Sequence, residues 1–206
     1  MNGFKKLLLI FYHPVECMTI IKREKNFRWW MLPVFYGVAV LVKCLYAYTV
    51  HFSLTSKSTQ NINIPLEIAV LVVPLISWVI CSYLVTSLID GESTLKDQFA
   101  VSCYCTAPYT LITLFSIIIS QFMSLEEVNI FNAIKGAAII WMAILLFASL
   151  VVLNDYSISK ALGITLLSLF AVVILWAVLI LLFSLTVQLF SLVFNFIREI
   201  RLKGGL

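Results

Sequence analysis

Few residues in this chain could do chemistry, and their spacing limits what that chemistry can be. Two Ser-x-x-Lys pairs stand out, Ser93 with Lys96 and Ser157 with Lys160. In acyl-transfer hydrolases such a pair supplies a hydroxyl nucleophile and a neighbouring amine. None of the companion signatures of those enzymes occurs here, and each pair follows an acid, Asp90 or Asp155, that closes an apolar run. A serine so placed caps the next helix, and the lysine sits at the membrane interface. Glu92, Asp97 and Tyr156 complete two polar turns, 90–97 and 154–160, and Thr94 with Asp97 has capping-box spacing. Cys17, Cys44, Cys81, Cys103 and Cys105 lie within or beside apolar segments, with no histidine near Cys103 or Cys105. A zinc site needs matching ligands elsewhere, so they read as reduced packing residues. No catalytic residue, metal or cofactor is expected, and the chain does not read as an enzyme.

Two ionisable residues interrupt apolar segments more deeply. Lys43 lies 14 residues past Trp29 and Glu67 two residues past Pro65. At 1.5 Å per residue, Lys43 stands about 21 Å along its helix. The consecutive, antiparallel segments bring the two charges to similar depth, and intramembrane charges find partners. The expectation is an ion pair that sets the register of the first two spans.

The elements that must position these residues are membrane helices. Only 12 % of the 206 residues are charged and 62 % are hydrophobic, with mean hydropathy +1.06. A water-soluble domain needs about a quarter of its residues charged, so the surface here faces lipid. The fold class is an all-α polytopic bundle of about five spans, near 29–48, 65–89, 99–122, 136–153 and 161–183. Trp29, Trp30, Tyr46 and Tyr48 mark the edges of the first span as aromatic belts. Residues 1–28 form an interfacial segment, whose apolar stripe Val15, Met18 and Ile21 suits a basic amphipathic helix on the inner leaflet. Pro74 interrupts the second span and Pro108 the third, where Ser102, Thr106, Thr110, Thr113 and Ser120 form a small-polar face for helix packing.

Residues 161–197 are apolar almost throughout, and no Gly, Pro, Asn or Asp stands between Gly163 and Asn195 to build a turn. One long helix is therefore expected, with 184–200 an amphipathic extension. Ser184, Gln188, Ser191, Asn195 and Arg198 step by four and three, making a polar stripe for contact with a partner.

Six cations against two acids in residues 1–28 place the N-terminus in the cytoplasm of a cell membrane, and five crossings then put the C-terminus outside. This basic cluster abuts a span and lacks interleaved stacking aromatics, so nucleic acid is not an expected partner.

The ordered motifs His13-Pro14, Ile20-Ile21-Lys22-Arg23-Glu24-Lys25, Asp90-Gly91-Glu92-Ser93-x-x-x-Asp97, Tyr104-x-x-x-Pro108 and Asp155-Tyr156-Ser157 resemble the Yip1-domain family, particularly its bacterial members. The resemblance implies five helices with a cytoplasmic N-terminus. Eukaryotic members are linked to Rab-type GTPases and carry a longer N-terminal region. This chain has none, so such a GTPase is not expected. Bacterial members often accompany carbohydrate ABC-transporter components, which implies an accessory role and makes those subunits candidate partners beside membrane lipid. The leading expectation is a non-enzymatic membrane subunit that binds other membrane proteins. The alternative is a small transporter or channel, which the scarcity of charge inside the spans disfavours.

The topology has a direct test. In a cysteine-free background, a membrane-impermeant thiol reagent added outside cells should label a cysteine at position 56 and spare one at 93. The reverse pattern overturns the arrangement.

Overall fold

The computed structural model describes residues 9–24, 31–50, 63–123 and 125–203, and every regular element in them is helical. Residues 1–8, 25–30, most of the expected loop 51–64, and Trp29 and Trp30 lie outside the described residues. After the helical residues 9–12, six α-helices follow in order among the described residues: α1 Pro14–Glu24, α2 Met31–Thr49, α3 Ile64–Leu88, α4 Leu95–Ser120, α5 Val128–Asn154 and α6 Ile158–Lys203. Four of them, α3, α4, α5 and α6, carry stretches long and apolar enough to cross a membrane, and α2 has a shorter apolar stretch, Pro33–Thr49.

Local chemistry sets the helix ends. Pro14 opens α1, where a missing backbone N–H costs nothing. Pro65 does the same for α3, which then runs unbroken through Pro74. The Thr94 hydroxyl accepts the Asp97 N–H at 3.3 Å, and the Asp97 carboxylate accepts the Thr94 N–H at 3.1 Å, so a reciprocal capping box starts α4. A 3₁₀ turn, Leu125–Glu127, leads into α5, which begins at Val128, ahead of the span expected from Gly136. The early start buries Phe131 completely, stacked on Tyr46 with ring centroids 6.2 Å apart. Tyr46, expected in an interfacial belt, is thus a core residue, while Tyr48 is exposed.

The bundle is built around α4, which packs on α5 and α2 most broadly and also on α3 and α1. Residues 100–108 of α4 are buried without interruption, so this stretch of the helix is enclosed on every side, while Leu111, Phe115 and Ile118 further along are exposed. Its hydroxyls can lie in that core because most of them are satisfied within the helix: Thr106 donates to the Cys103 carbonyl, Thr110 to Thr106, and Thr113 to Tyr109. Ser102 also reaches across to the Tyr36 hydroxyl, 2.8 Å away.

Helix α1 inserts its apolar face between α4 and α5. Cys17, Met18 and Ile21 are buried and Val15 is exposed, so the buried face is turned from the expected Val15, Met18, Ile21 stripe. At the other end of the chain, α6 extends for 46 residues, about 69 Å. It packs on α3 and α5 through Ala161, Ile164, Ser168 and Ala171 near its start, and from there on its described side chains are mostly exposed.

Candidate functional site

A cluster of hydrogen-bonded polar residues forms where the α3–α4 and α5–α6 turns meet. Both turns are built alike. Asp90 ends α3 at φ 53° and Asp155 ends α5 at φ 50°, the left-handed conformation usual for glycine or asparagine at a helix C-terminus. In each turn the next residue donates back across five positions: the Gly91 N–H to Thr86 at 2.8 Å, and the Tyr156 N–H to Val151 at 3.2 Å. The likeness in sequence between 90–96 and 155–160 thus has a counterpart in backbone geometry.

The turns are then tied to each other. The buried Asn154 carbonyl oxygen, Oδ1, accepts the Ser93 N–H at 3.1 Å, and its Nδ2 donates to Leu150. The Tyr156 hydroxyl donates to the Ile89 carbonyl at 3.1 Å. Gly91 is required by this approach, since a Cβ there would stand 2.7 Å from the Thr86 carbonyl and 2.9 Å from Asn154 Oδ1.

Beneath the turns lies Gln98, almost fully buried. Its amide nitrogen donates to Thr86 Oγ1 at 3.1 Å and Ser93 Oγ at 2.9 Å, and its oxygen accepts the Ser82 hydroxyl at 2.8 Å. From above, the Lys22 ammonium on α1 donates to Asp155 and stands 3.4 Å from Glu92, bridging both turns. Partial burial pulls the Lys22 pKa down, but the hydrogen bond and charge of Asp155, followed by those of Glu92, outweigh it and leave it raised. What Lys22 contributes is therefore complete below pH 10.5 and is lost only as pH climbs through the raised value. Burial, then the Asp90 carboxylate, raises Tyr156, so its hydroxyl keeps its proton to donate over the same range.

These contacts decide what the Ser-x-x-Lys pairs do. The Ser157 hydroxyl accepts the Lys160 backbone N–H at 3.4 Å as a helix cap, and the Lys160 ammonium lies 4.5 Å from the centre of the Tyr156 ring. Ser93 serves the Gln98 network instead, and Thr94 caps α4 in its place. Asp97 belongs to that cap, and Lys96 is exposed. Gln98 was not named by sequence reasoning, Lys22 entered only through the basic cluster and the family motif, and Asn154 only as the first residue of the second turn; the signal available was two amides at the ends of otherwise apolar helices. Among the described residues no cluster of three or more His, Cys, Asp or Glu could hold a metal.

The remaining expected residues lie elsewhere. Lys43 Nζ on α2 stands 3.9 Å from Glu67 Oε2 on α3, with both side chains largely buried. Ser184, Gln188, Ser191, Asn195 and Arg198 are all exposed on the distal part of α6.

A family model described as Yip1 domain matches residues 8–181, most of the chain and all of the geometry above except the distal part of α6. The chain belongs to the Yip1-domain family. No curated protein and no solved structure gives a significant match. The matched Yip1 domain includes both turns, the Gln98 network and the Lys22 bridge, and with its four long apolar helices it is a multi-pass membrane domain.

Two measurements probe this Yip1 domain. Gly91→Ala should lower thermal stability in detergent by about 1–3 kcal/mol, because the methyl collides with the turn. Gly37→Ala and Gly163→Ala, where nothing lies within 4 Å of the new Cβ, should not share that collision penalty. For the ion pair, Lys43→Ala and Glu67→Ala should each destabilise more than the double variant, with a coupling of about 0.5–3 kcal/mol. Additive losses in unfolding curves would show that the two charges do not interact.

Proposed function

We propose that the chain is a non-enzymatic accessory subunit of the cell membrane that binds and positions other integral membrane proteins. The observation carrying this reading is the distal half of α6. It presents Ser184, Gln188, Ser191, Asn195 and Arg198 on an otherwise apolar helix, where this chain provides little packing. In lipid no hydrophobic force gathers helices together, so close packing and polar contacts select the neighbour. A row of amides and hydroxyls suits a second membrane helix better than hydrocarbon. By family resemblance, the candidate partners are subunits of a carbohydrate ABC transporter.

The same reading takes α2 as a fifth span. Its 19 residues extend about 29 Å, close to the ~30 Å hydrocarbon core, and Glu67 gives Lys43 a partner inside it. With the basic N-terminus in the cytoplasm, both polar turns lie on that side and α6 ends outside. A small transporter or channel is the weaker reading. The hydroxyls along α4 are bonded largely to their own helix, which offers no continuous path for a solute.

The test is purification in mild detergent followed by mass spectrometry. A second membrane protein should accompany the chain in stoichiometric amount and be lost from a Gln188→Leu/Asn195→Leu variant that remains folded. A lone, monodisperse protein that moves a solute in proteoliposomes would sink the accessory reading.

A further inference from the structure

The polar stripe of α6 faces away from its own bundle. Ser168 is fully buried on the side of α6 that meets α3 and α5. Ser184 follows it by 16 residues, which at 3.6 residues per turn carries it about 160° round the helix. Gln188, Ser191 and Asn195 continue the same line, all exposed, on the side that this bundle leaves open. Length adds to that exposure. The apolar stretch Ile158–Leu192 has 35 residues, about 52 Å, and a ~30 Å hydrocarbon core matches little more than half of it. With no Gly or Pro between Gly163 and Lys203, nothing bends the surplus onto the membrane surface.

The steps of four, three and four from Ser184 to Asn195 are those of the seam between two helices wound left-handedly on each other. The positions flanking such a seam are Leu185, Val187, Leu192 and Phe194, each more than half exposed. Water-soluble helix pairs place charges there. Here the shoulders are apolar, so a facing helix shuts the seam away from both water and lipid, where its polar groups must bond to each other.

The seam is complementary to itself. Copies of one protein in one bilayer share an orientation, so two α6 helices meet in parallel and each residue faces its own counterpart. A primary amide both donates and accepts, which lets Gln188 bond its counterpart and Asn195 do the same. Ser184 and Ser191 are small enough for the two backbones to approach closely. No charged residue stands between Ser184 and Asn195, so identical helices do not repel along this stretch. Arg198, next in line, sets like charges against each other and ends the seam.

We propose that the stripe meets a second copy of this chain, the two distal α6 helices pairing in parallel about a twofold axis along Ser184, Gln188, Ser191 and Asn195. This rests on the reading of distal α6 as a contact surface and names what covers it. A further subunit is then held by the pair, and a variant that separates the copies loses that subunit too.

The experiment uses the full chain in two settings. In mild detergent, light scattering over a dilution series should give the mass of two copies, falling to one as the protein is diluted. Gln188→Leu/Asn195→Leu should weaken the dimer at least about tenfold, through loss of two interhelical amide pairs. Thr186→Leu removes a hydroxyl that is bonded to the Leu182 carbonyl on the opposite side of the helix, and it should leave the dimer unchanged. In native membranes, Cys44 is replaced by Ser, since the other four native cysteines are buried. Ser191→Cys should then form an intermolecular disulfide under a mild oxidant, and the exposed Leu189→Cys, on the far side of α6, should not. Equal cross-linking at both positions, or none at 191 together with a monomer in detergent, overturns the proposal. A single copy bound to a different membrane protein, lost from the double variant, also overturns it while keeping the accessory reading. A lone monomer in every preparation sinks both. If the double variant does not fold, the cysteine pair decides alone.

Discussion

A glutamine amide buried among apolar helices must find its partners there, because neither water nor lipid can supply them. Gln98, on α4, finds three: Ser82 and Thr86 on α3 and Ser93 in the turn between the two helices. Removing any one would leave a buried donor or acceptor exposed to the full cost of desolvation. The hairpin is therefore fixed in depth and rotation together. Ser93, held on one side by this amide, offers its backbone N–H to Asn154 on the other. The second hairpin takes its position from the first through that bond and the Tyr156 hydroxyl.

The α1 helix adds a third component to this junction. Its buried face wedges between α4 and α5, and Lys22 then spans acids from both turns. Glu92 and Asp155 are well exposed, so the bridge contributes little by Coulomb energy alone. Its effect is geometric, because one cation near two carboxylates on different turns favours the single arrangement in which both are in reach. Packing holds α1 in place and the charge selects its azimuth.

Much of this was legible in the sequence where local chemistry decides. The long α6 could be read from the lack of turn residues after Gly163, and the start of α4 from the spacing of Thr94 and Asp97. The enclosure of α4 was not, because a hydroxyl bonded to its own helix counts as polar in a sequence while behaving as apolar in the fold. Neither was the orientation of α1: Cys17 faces α4 and α5 only because those helices, more than 70 residues on, converge there. The bridge from Lys22 to Asp155 joins residues 133 apart, a separation that no local pattern encodes. Tyr46 misled for a related reason: an aromatic near a span end usually marks the interface, but the early start of α5 brings Phe131 over it.

The length of α6 has a mechanical meaning. Beyond Ala171 it continues for 32 residues, about 48 Å, as one unbroken helix with no glycine or proline to hinge it before Lys203. It is thus a lever whose fulcrum is the small patch where Ala161, Ile164 and Ser168 meet α3 and α5. A tilt of about 5° at that fulcrum carries the tip some ~4 Å sideways, by the length of the arm alone. Sub-ångström adjustments around Asn154 and Tyr156 are thereby magnified at the distal end of α6, and a load applied at the tip returns to the junction with the same mechanical advantage.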